Sequence, residues 1–340
     1  EQRMKELGIE LFNAIFKNMQ ATRLWAKIED KLDDTRVEII TDVTGAVALP
    51  WELLRDPQTD STIALRANSF VRAHYSAARK AERAQATDKV RILLVICRPG
   101  GREDVPFRSV ASRLMKGLSE EARERFELEV LRPPTFAQLT KVLQEAKAKG
   151  KPYHIVHFDG HGAYLESAKD ALERIMKHLG MLVFGAPREG THGYLIFENS
   201  KAEQNGELID GPSLGNLLVE TDVPVLILNA CRSAHADIQE KPVETEDVNA
   251  QVRAFGSLAQ EVMDAGVAGV VAMRYNVYVV TAAQFVADLY AALAGGQGLG
   301  EAVSMGRKQL AAQPLREIAF DPIPLQDWSV PVAYEAAPIQ

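Results

Sequence analysis

From residue 90 onwards, short apolar runs alternate with segments of helical periodicity. These runs are apolar throughout rather than at every second residue, which is typical of parallel strands buried on both faces. We predict strands at 90–97, 127–131, 193–198 and 266–273, two more that reach His161 and Cys231, and helices at about 107–124, 136–149, from 212, 279–294 and 299–312. The alternation predicts an α/β fold with a mostly parallel central sheet and helices on both faces.

The first part of the chain has a different pattern. Apolar residues at helical spacing in 2–32 predict one or two amphipathic helices. Strand-like runs follow at 36–41, 43–49, 63–65 and 69–75, with a Pro-started helical turn at 50–56. Residues 76–89 are rich in Ala, Arg, Lys and Glu and are the best candidate for a connector. The sequence therefore predicts a smaller portion over 1–85 and a larger one over 86–340.

Composition restricts the classes of function. The net charge of −7 argues against a direct nucleic-acid partner, which needs a concentrated basic face. No apolar run approaches the ~20 residues that span a bilayer, so we expect no membrane partner. The chain starts at Glu1 with a charged amphipathic segment rather than a signal peptide, and we expect that it was cut from a longer protein.

Cysteine and histidine usage narrows the classes further. The two cysteines, Cys97 and Cys231, lie far apart, which favours a reducing cytoplasm over a disulfide scaffold. No CxxC pair predicts a metal site, and we expect no cofactor.

Two reactive side chains follow the central apolar runs. One run reads His154-Ile-Val-His-Phe-Asp-Gly-His161-Gly162, and the other reads Val225-Leu-Ile-Leu-Asn-Ala-Cys231. Parallel strands place their chemistry at their carboxyl ends, so we predict a Cys231–His161 dyad for acyl transfer. Gly162 has no side chain, and its N–H together with that of Cys231 would form an oxyanion hole.

Other reactive residues have simpler interpretations. Taken alone, Cys231 could be a small buried residue and His161 a turn residue, and only the joint pattern favours catalysis. Cys97 ends an apolar run without a matching histidine, so we interpret it as a core residue. His154 and His157 alternate with apolar residues and are interpreted as core histidines.

Several motifs together resemble the CHAT domains, which are caspase-like cysteine peptidases related to separases. His154–Gly162 and the run Leu-Ile-Leu-Asn-Ala-Cys-Arg-Ser-Ala at 226–234 resemble the His and Cys motifs of this family. Pro50-Trp51-Glu52 resembles its N-terminal signature. The stretches 257–260, 265–273, 298–307 and 327–331 resemble, in order, the segments that follow the catalytic Cys and close the domain.

The resemblance implies a small pseudo-caspase-like portion followed by an active caspase-like portion. It implies peptide-bond hydrolysis through a thioester, with Cys231 as nucleophile, His161 as base, and the amides of Gly162 and Cys231 as the oxyanion hole. Family members are mostly bacterial, are fused to or partnered with sensors such as TPR repeats or nucleotide-sensing domains, and in several cases act in antiphage defence. We therefore expect a protein substrate and a sensor or regulatory partner.

The substrate preference stays open. In the stretch that should line the first specificity pocket, Arg274 and Tyr275 occur without a carboxylate, and Arg274 would favour an acidic substrate residue. Asp159 is the competing candidate and would favour Arg or Lys. Arg232, directly after the nucleophile, is a further candidate contact. Each of these charges could instead be solvated or paired internally.

Two functions of different classes remain. The first is a regulated endopeptidase, whose long stretches 163–192 and 234–250 after the reactive runs would respond to a partner. The alternative is a catalytically silent caspase-like scaffold or interaction module. The presence of Cys231, His161 and Gly162 together favours the peptidase.

Overall fold

The computed structural model of the chain describes residues 1–41, 43–74, 89–100, 120–166, 176, 181–199, 205–230, 257–274, 278–318 and 321–339. Its strands within these residues are β1 (Arg36–Ile39), β2 (Arg55–Asp56), β3 (Ser61–Thr62), β4 (Ser69–Ala73), β5 (Val90–Ile96), β6 (Phe126–Val130), β7 (Ile155–Glu166), β8 (Leu182–Phe184), β9 (Thr191–Glu198), β10 (Asn205–Asp210), β11 (Val225–Ala230), β12 (Gly269–Met273), β13 (Leu315–Ile318), β14 (Asp321–Pro324) and β15 (Pro331–Glu335).

The helices complete the list of elements. They are α1 (Gln2–Ile15), α2 (Met19–Ile28), α3 (Thr44–Val47), α4 (Ile63–Arg66), α5 (Glu120–Glu124), α6 (Phe136–Ala148), α7 (Gly211–Glu220), α8 (Val279–Ala294) and α9 (Leu299–Ala312). Residues 257–264 are also helical, and short 3₁₀ turns occupy Glu29–Asp34, Trp51–Leu53 and Asp327–Ser329. Within the described residues, no helix is both long and apolar enough to cross a membrane.

Eleven of the described strands form one sheet. Its central path runs β1, β4, β15, β12, β11, β7, with β5 and then β6 on the far side of β7. The strands β1, β4 and β15 are parallel to one another, as are β12, β11, β7, β5 and β6. The two groups meet in the antiparallel pair β12–β15. The predicted α/β fold with a mostly parallel central sheet is confirmed.

Strands from both predicted portions share this sheet. In the smaller portion, β4 pairs with the C-terminal strand β15, with Arg72 opposite Tyr334. Residues 75–88, where the boundary and connector were predicted, lie outside the described residues. The division into 1–85 and 86–340 therefore stays a prediction.

Both faces of the central sheet are buried, and this explains its apolar strands. Val225 and Ile227 of β11 belong to a core that includes residues of α1, α2, α8 and α9. Leu226 and Leu228, on the opposite face, belong to a second core with residues of α6, α7 and the helical stretch 257–264. Because successive side chains of a strand point to opposite faces, all four positions from Val225 to Leu228 need apolar residues.

The strand β7 is longer than predicted. The glycines on either side of His161 indicated that the strand ends there. Instead, β7 continues to Glu166, and its second half pairs antiparallel with β9, from His161 opposite Ile196 to Glu166 opposite Thr191. Since β9 supplies backbone hydrogen-bond partners beyond the end of β11, the chain stays extended.

Several short segments also differ from their predictions. The runs at 43–49 and 63–65, predicted as strands, contain the helical turns α3 and α4. Periodicity cannot separate a strand from a helical turn in so short an apolar run. The strands β8 and β10 and the hairpin β13–β14 were not predicted. Of the helix predicted at 107–124, the described part is α5.

The buried His157 of β7 makes stability depend on pH. Its Nδ1 lies 2.8 Å from the hydroxyl of Tyr290 in α8. Burial lowers the pKa of His157 from 6.5 to about 4, with a small opposing effect of Asp159. Between these values the unfolded chain binds more protons than the folded chain. We therefore expect this group to reduce the free energy of unfolding by up to roughly 3 kcal/mol as the pH falls through that range.

Urea unfolding at about pH 7 and about pH 4.5 measures this loss. The control is His157→Gln, which removes the titrating ring while other acid-sensitive groups remain. The difference in stability between the two pH values should be smaller in the variant. The same pH dependence in both proteins would contradict the assignment.

Candidate active site

The residues that precede the predicted dyad lie at one end of the central strands β7 and β11. Their parallel register places Val225 opposite Ile155 and, at the other end, Ala230 opposite Gly160. In the sequence His161 directly follows Gly160, and Cys231 directly follows Ala230. Cys231 itself lies outside the described residues. The structure thus places side by side the two residues that precede the predicted base and nucleophile.

His161 is the first residue of β7 after a change of strand partner. Up to Gly160, β7 pairs with β11, and from His161 it pairs with β9. The pairing with β5 also ends here, at Asp159. Open α/β sheets bind ligands beyond the carboxyl ends of their strands, where neighbouring connections diverge. The His161 side chain is buried, and only 4% of the residue's surface is exposed.

Close packing requires a glycine at position 160, directly before His161. A Cβ at Gly160 would lie 2.8 Å from Cζ of Phe158 and 3.1 Å from Cβ of Cys97. Phe158 is held in the core against Phe197, with ring centroids 5.1 Å apart. The absence of a side chain therefore allows β7 to approach β5 closely just before His161.

Asp159 is paired internally. Its Oδ1 accepts a hydrogen bond from the Arg98 guanidinium, and its Oδ2 accepts one from Asn229 Nδ2 at 3.0 Å. Arg98 also donates to the carbonyl oxygens of Asp159 and Cys97, at 2.9 and 2.8 Å. Arg98 thus joins the ends of β5 and β7, while Asn229 joins β11 to the same carboxylate.

Arg274, the second candidate for substrate charge, is also paired. It directly follows β12, which runs parallel to β11, so it lies at the same edge of the sheet as Gly160 and Ala230. Its side chain is buried, and its guanidinium donates to the carbonyl oxygen of Ala48. Its Nη1 lies 3.6 Å from Oε2 of Glu52. A substrate charge could bind Arg274 or Asp159 only by competing with these partners.

The remaining predicted site residues are only partly described. Gly162 is partly buried and lies opposite Leu195 of β9. Arg232 and Tyr275 lie outside the described residues, as Cys231 does. Their assignments as substrate-binding residues stay predictions.

Of the residues interpreted as core, Cys97 and His157 are confirmed as buried, whereas His154 is only partly buried. Cys97 is fully buried, donates to the carbonyl oxygen of Pro134 at 3.3 Å, and its pKa is raised by burial. His157 is buried against Tyr290, and His154 Nδ1 accepts a hydrogen bond from the Arg91 N–H at 2.9 Å. Each of these side chains has a packing role that needs no catalytic explanation.

Sequence reasoning missed two charged residues of this edge. Arg98 is the second residue after β5, and its position near a strand end was the available signal. Glu52 belongs to the Pro-Trp-Glu segment, but nothing in the local pattern indicates Arg274 as a partner. In the described ranges, no group of three or more His, Cys, Asp or Glu residues is arranged to hold a metal ion.

The chain matches the model of a known protein family. The family model of the CHAT domain matches residues 6–335, nearly the whole chain. A search of curated proteins found no significant match.

The packing at Gly160 predicts the effect of adding one methyl group. Gly160→Ala should lower the free energy of unfolding by about 1–3 kcal/mol, because the new Cβ meets the Phe158 ring and Cys97. Urea unfolding measures this loss. Phe158→Leu removes the ring atoms that clash, so the double variant should be more stable than the sum of the two single losses predicts. Strict additivity would show that the clash is not the cause.

Proposed function

This chain belongs to the CHAT-domain family, and from that premise we propose that it is a cysteine-type endopeptidase with Cys231 as nucleophile and His161 as general base. The observation that carries the proposal is the register of β7 and β11. Gly160 and Ala230 are paired, and each directly precedes one member of the dyad. The family relates the chain to caspase-like peptidases.

The proposed reaction has two halves. The Cys231 sulfur attacks the carbonyl carbon of the scissile bond, while His161 takes the thiol proton. His161 then gives this proton to the leaving nitrogen, so the C–N bond breaks and a thioester remains. Water attacks the thioester carbonyl, His161 takes a proton from that water, and the C–S bond breaks. The thiol is restored when the proton returns to sulfur.

The oxyanion that forms in each half needs hydrogen-bond donors. We assign these to the amides of Gly162 and Cys231, which can contribute a few kcal/mol to the transition state. Residues of an antiparallel ladder alternate between pairs that exchange hydrogen bonds and pairs that do not. The Gly162 N–H is available to an oxyanion only if Gly162 and Leu195 do not exchange backbone hydrogen bonds. The assignment therefore requires them to be a pair of this kind.

The substrate is proposed to be a protein, and the activity to be controlled by a sensor. Two long stretches, 163–192 and 234–250, follow the reactive runs in the sequence. Segments of this kind can be ordered by a partner and so switch a site. We propose a cytoplasmic effector coupled to a TPR or nucleotide-sensing module in a defence-like system.

Cleavage of a diverse peptide library tests the peptidase directly. We expect cleavage by the chain and a loss of at least about a thousandfold in Cys231→Ala and in His161→Gln, because the two groups act as one unit. The residue before the scissile bond will separate the two specificity candidates, since Asp159 favours a basic residue and Arg274 an acidic one. Gln284→Ala, on an exposed pair of α8, is a surface control that should leave cleavage unchanged.

Equal cleavage by the chain and Cys231→Ala would refute the proposal. Absence of cleavage by all of these proteins, even after fusion to a sensor module, would favour the scaffold alternative.

The control by a partner predicts weak activity of the chain alone. We expect kcat/KM for the best peptide to lie below the ~10⁴ M⁻¹s⁻¹ at which ordinary enzymes begin. Steady-state kinetics of the purified chain measure it. A value within the ordinary range without any partner would contradict regulation, while leaving the peptidase assignment intact.

A further inference from the structure

The Pro50-Trp51-Glu52 segment has no part in the proposed chemistry, yet it contacts the active-site edge. Residues 47–52 come from the N-terminal part of the chain, and two arginines donate to this segment from different strands. Arg72 belongs to β4, and Arg274 follows β12. We call residues 47–52 the clasp.

The contact with Arg72 is the stronger of the two. Arg72 Nε and Nη2 donate to the two carboxylate oxygens of Glu52, at 3.0 and 2.7 Å. The same guanidinium donates to the carbonyl oxygens of Val47 and Leu49. The clasp therefore binds Arg72 through both the Glu52 carboxylate and the clasp's own backbone carbonyl oxygens. These contacts fix the clasp on β4.

The contact with Arg274 uses a carbonyl oxygen that Arg72 does not bind and a carboxylate oxygen that the two arginines share. The carbonyl oxygen of Ala48, between the two that bind Arg72, accepts from Arg274, and Glu52 Oε2 lies 3.6 Å from Arg274 Nη1. Trp51 steadies the turn, because its indole N–H donates to Ala46 at 2.8 Å. The contacts with Arg72 thus fix the positions of the clasp atoms that bind Arg274.

The charge of Glu52 is maintained in this buried position. Burial alone would raise the pKa of Glu52, but the charges of Arg72, Arg307 and Arg274 lower it overall. Glu52 is 1% exposed, so its negative charge acts on the neighbouring guanidinium groups with little screening by water. An ionised carboxylate is the partner that holds Arg274 against the clasp.

Arg274 lies two strands away from His161. Successive strands of the sheet are about 4.8 Å apart, so β12 and β7 are separated by about 10 Å. At this distance a freed guanidinium on the same edge would be within reach of a bound peptide. What holds Arg274 therefore also affects which substrates the site accepts.

We infer that Glu52 is a positioning residue, which keeps the Arg274 guanidinium on the clasp and away from the substrate. This inference rests on the proposed peptidase function. It gives the Pro-Trp-Glu segment a role, as the part of the N-terminal portion that controls a charge at the active-site edge. Release of the clasp turns Arg274 into a binding group for an acidic substrate residue.

Labelling with phenylglyoxal, an arginine-directed reagent, tests the position of Arg274 without requiring activity. Mass spectrometry of the labelled full chain gives the rate at Arg274. Glu52→Gln should raise this rate by roughly tenfold or more, because labelling follows the population of the exposed side chain. Trp51→Phe keeps Glu52 but removes the indole hydrogen bond, and should raise the rate less. If Glu52→Gln does not fold, Trp51→Phe decides.

The matched control is Glu335→Gln. Glu335 is also a buried carboxylate, and it pairs with Arg36 at 2.7 Å. It lies opposite Gly269, at the other end of β12 from Arg274. Its replacement should loosen the sheet without releasing Arg274. Unchanged labelling in both clasp variants, or an equal rise in Glu335→Gln, would overturn the inference.

Kinetics distinguish positioning from general loosening. In Cys231-dependent cleavage, Glu52→Gln should lower KM by roughly fivefold for peptides with Asp or Glu before the scissile bond and leave kcat unchanged, since uniform binding changes KM alone. Peptides with a neutral residue there should not respond. An equal change in both kinds of peptide would show that the role is only structural.

The two proposals can fail separately. Cleavage that depends on Cys231, combined with Arg274 protected in both clasp variants, would refute the clasp and leave the peptidase. Cleavage that does not depend on Cys231, combined with Arg274 released in Glu52→Gln, would refute the peptidase and leave the positioning of Arg274 by Glu52 established by labelling.

Discussion

The hydrogen bond between Asn229 and Asp159 is the interaction on which the edge proposed as the active site depends. Both faces of β7 and β11 are apolar, so the hydrophobic pattern alone does not determine how the two strands align. The polar groups at the ends of β7 and β11 determine this alignment. A register shifted by one residue would separate Asp159 from Asn229, and the loss of a hydrogen bond to a charged group costs about 1.5–3 kcal/mol. The observed register pairs Gly160 with Ala230, the residues that directly precede His161 and Cys231 in the sequence.

The charges at this edge are balanced by residues from other elements. Asp159 is paired with Arg98 from the end of β5, and Arg274 is paired with Glu52 from the N-terminal part of the chain. Charges that have protein partners do not select a substrate by themselves, because a substrate must displace those partners first. The specificity of such a site depends on how firmly each partner is held. The contact between Glu52 and Arg274 thus links the N-terminal portion directly to the edge of the sheet that holds the proposed site.

The sequence predicted the elements whose patterns are local. The strands β5, β11 and β12 and the helices α8 and α9 were recognised from continuous apolar runs and helical periodicity, and Cys97 and His157 were recognised as core residues. The full length of β7 was not predictable, because it depends on pairing with β9, which lies further along the chain. The contact of Glu52 with Arg274 was not predictable for the same reason. The sequence around Glu52 and around Arg274 does not indicate that the two residues are partners.

The pH dependence of Cys231 alkylation by iodoacetamide tests the central claim, that the register of β7 and β11 assembles a working dyad. Only the thiolate reacts, so the profile gives the pKa of the thiol. We predict a value clearly below the ordinary ~8.5 in the unaltered chain and a return towards it in His161→Gln. Cys97, whose pKa is raised by burial, is the internal control and should react slowly in both proteins. A Cys231 pKa near the ordinary value that does not change when His161 is replaced would contradict the account.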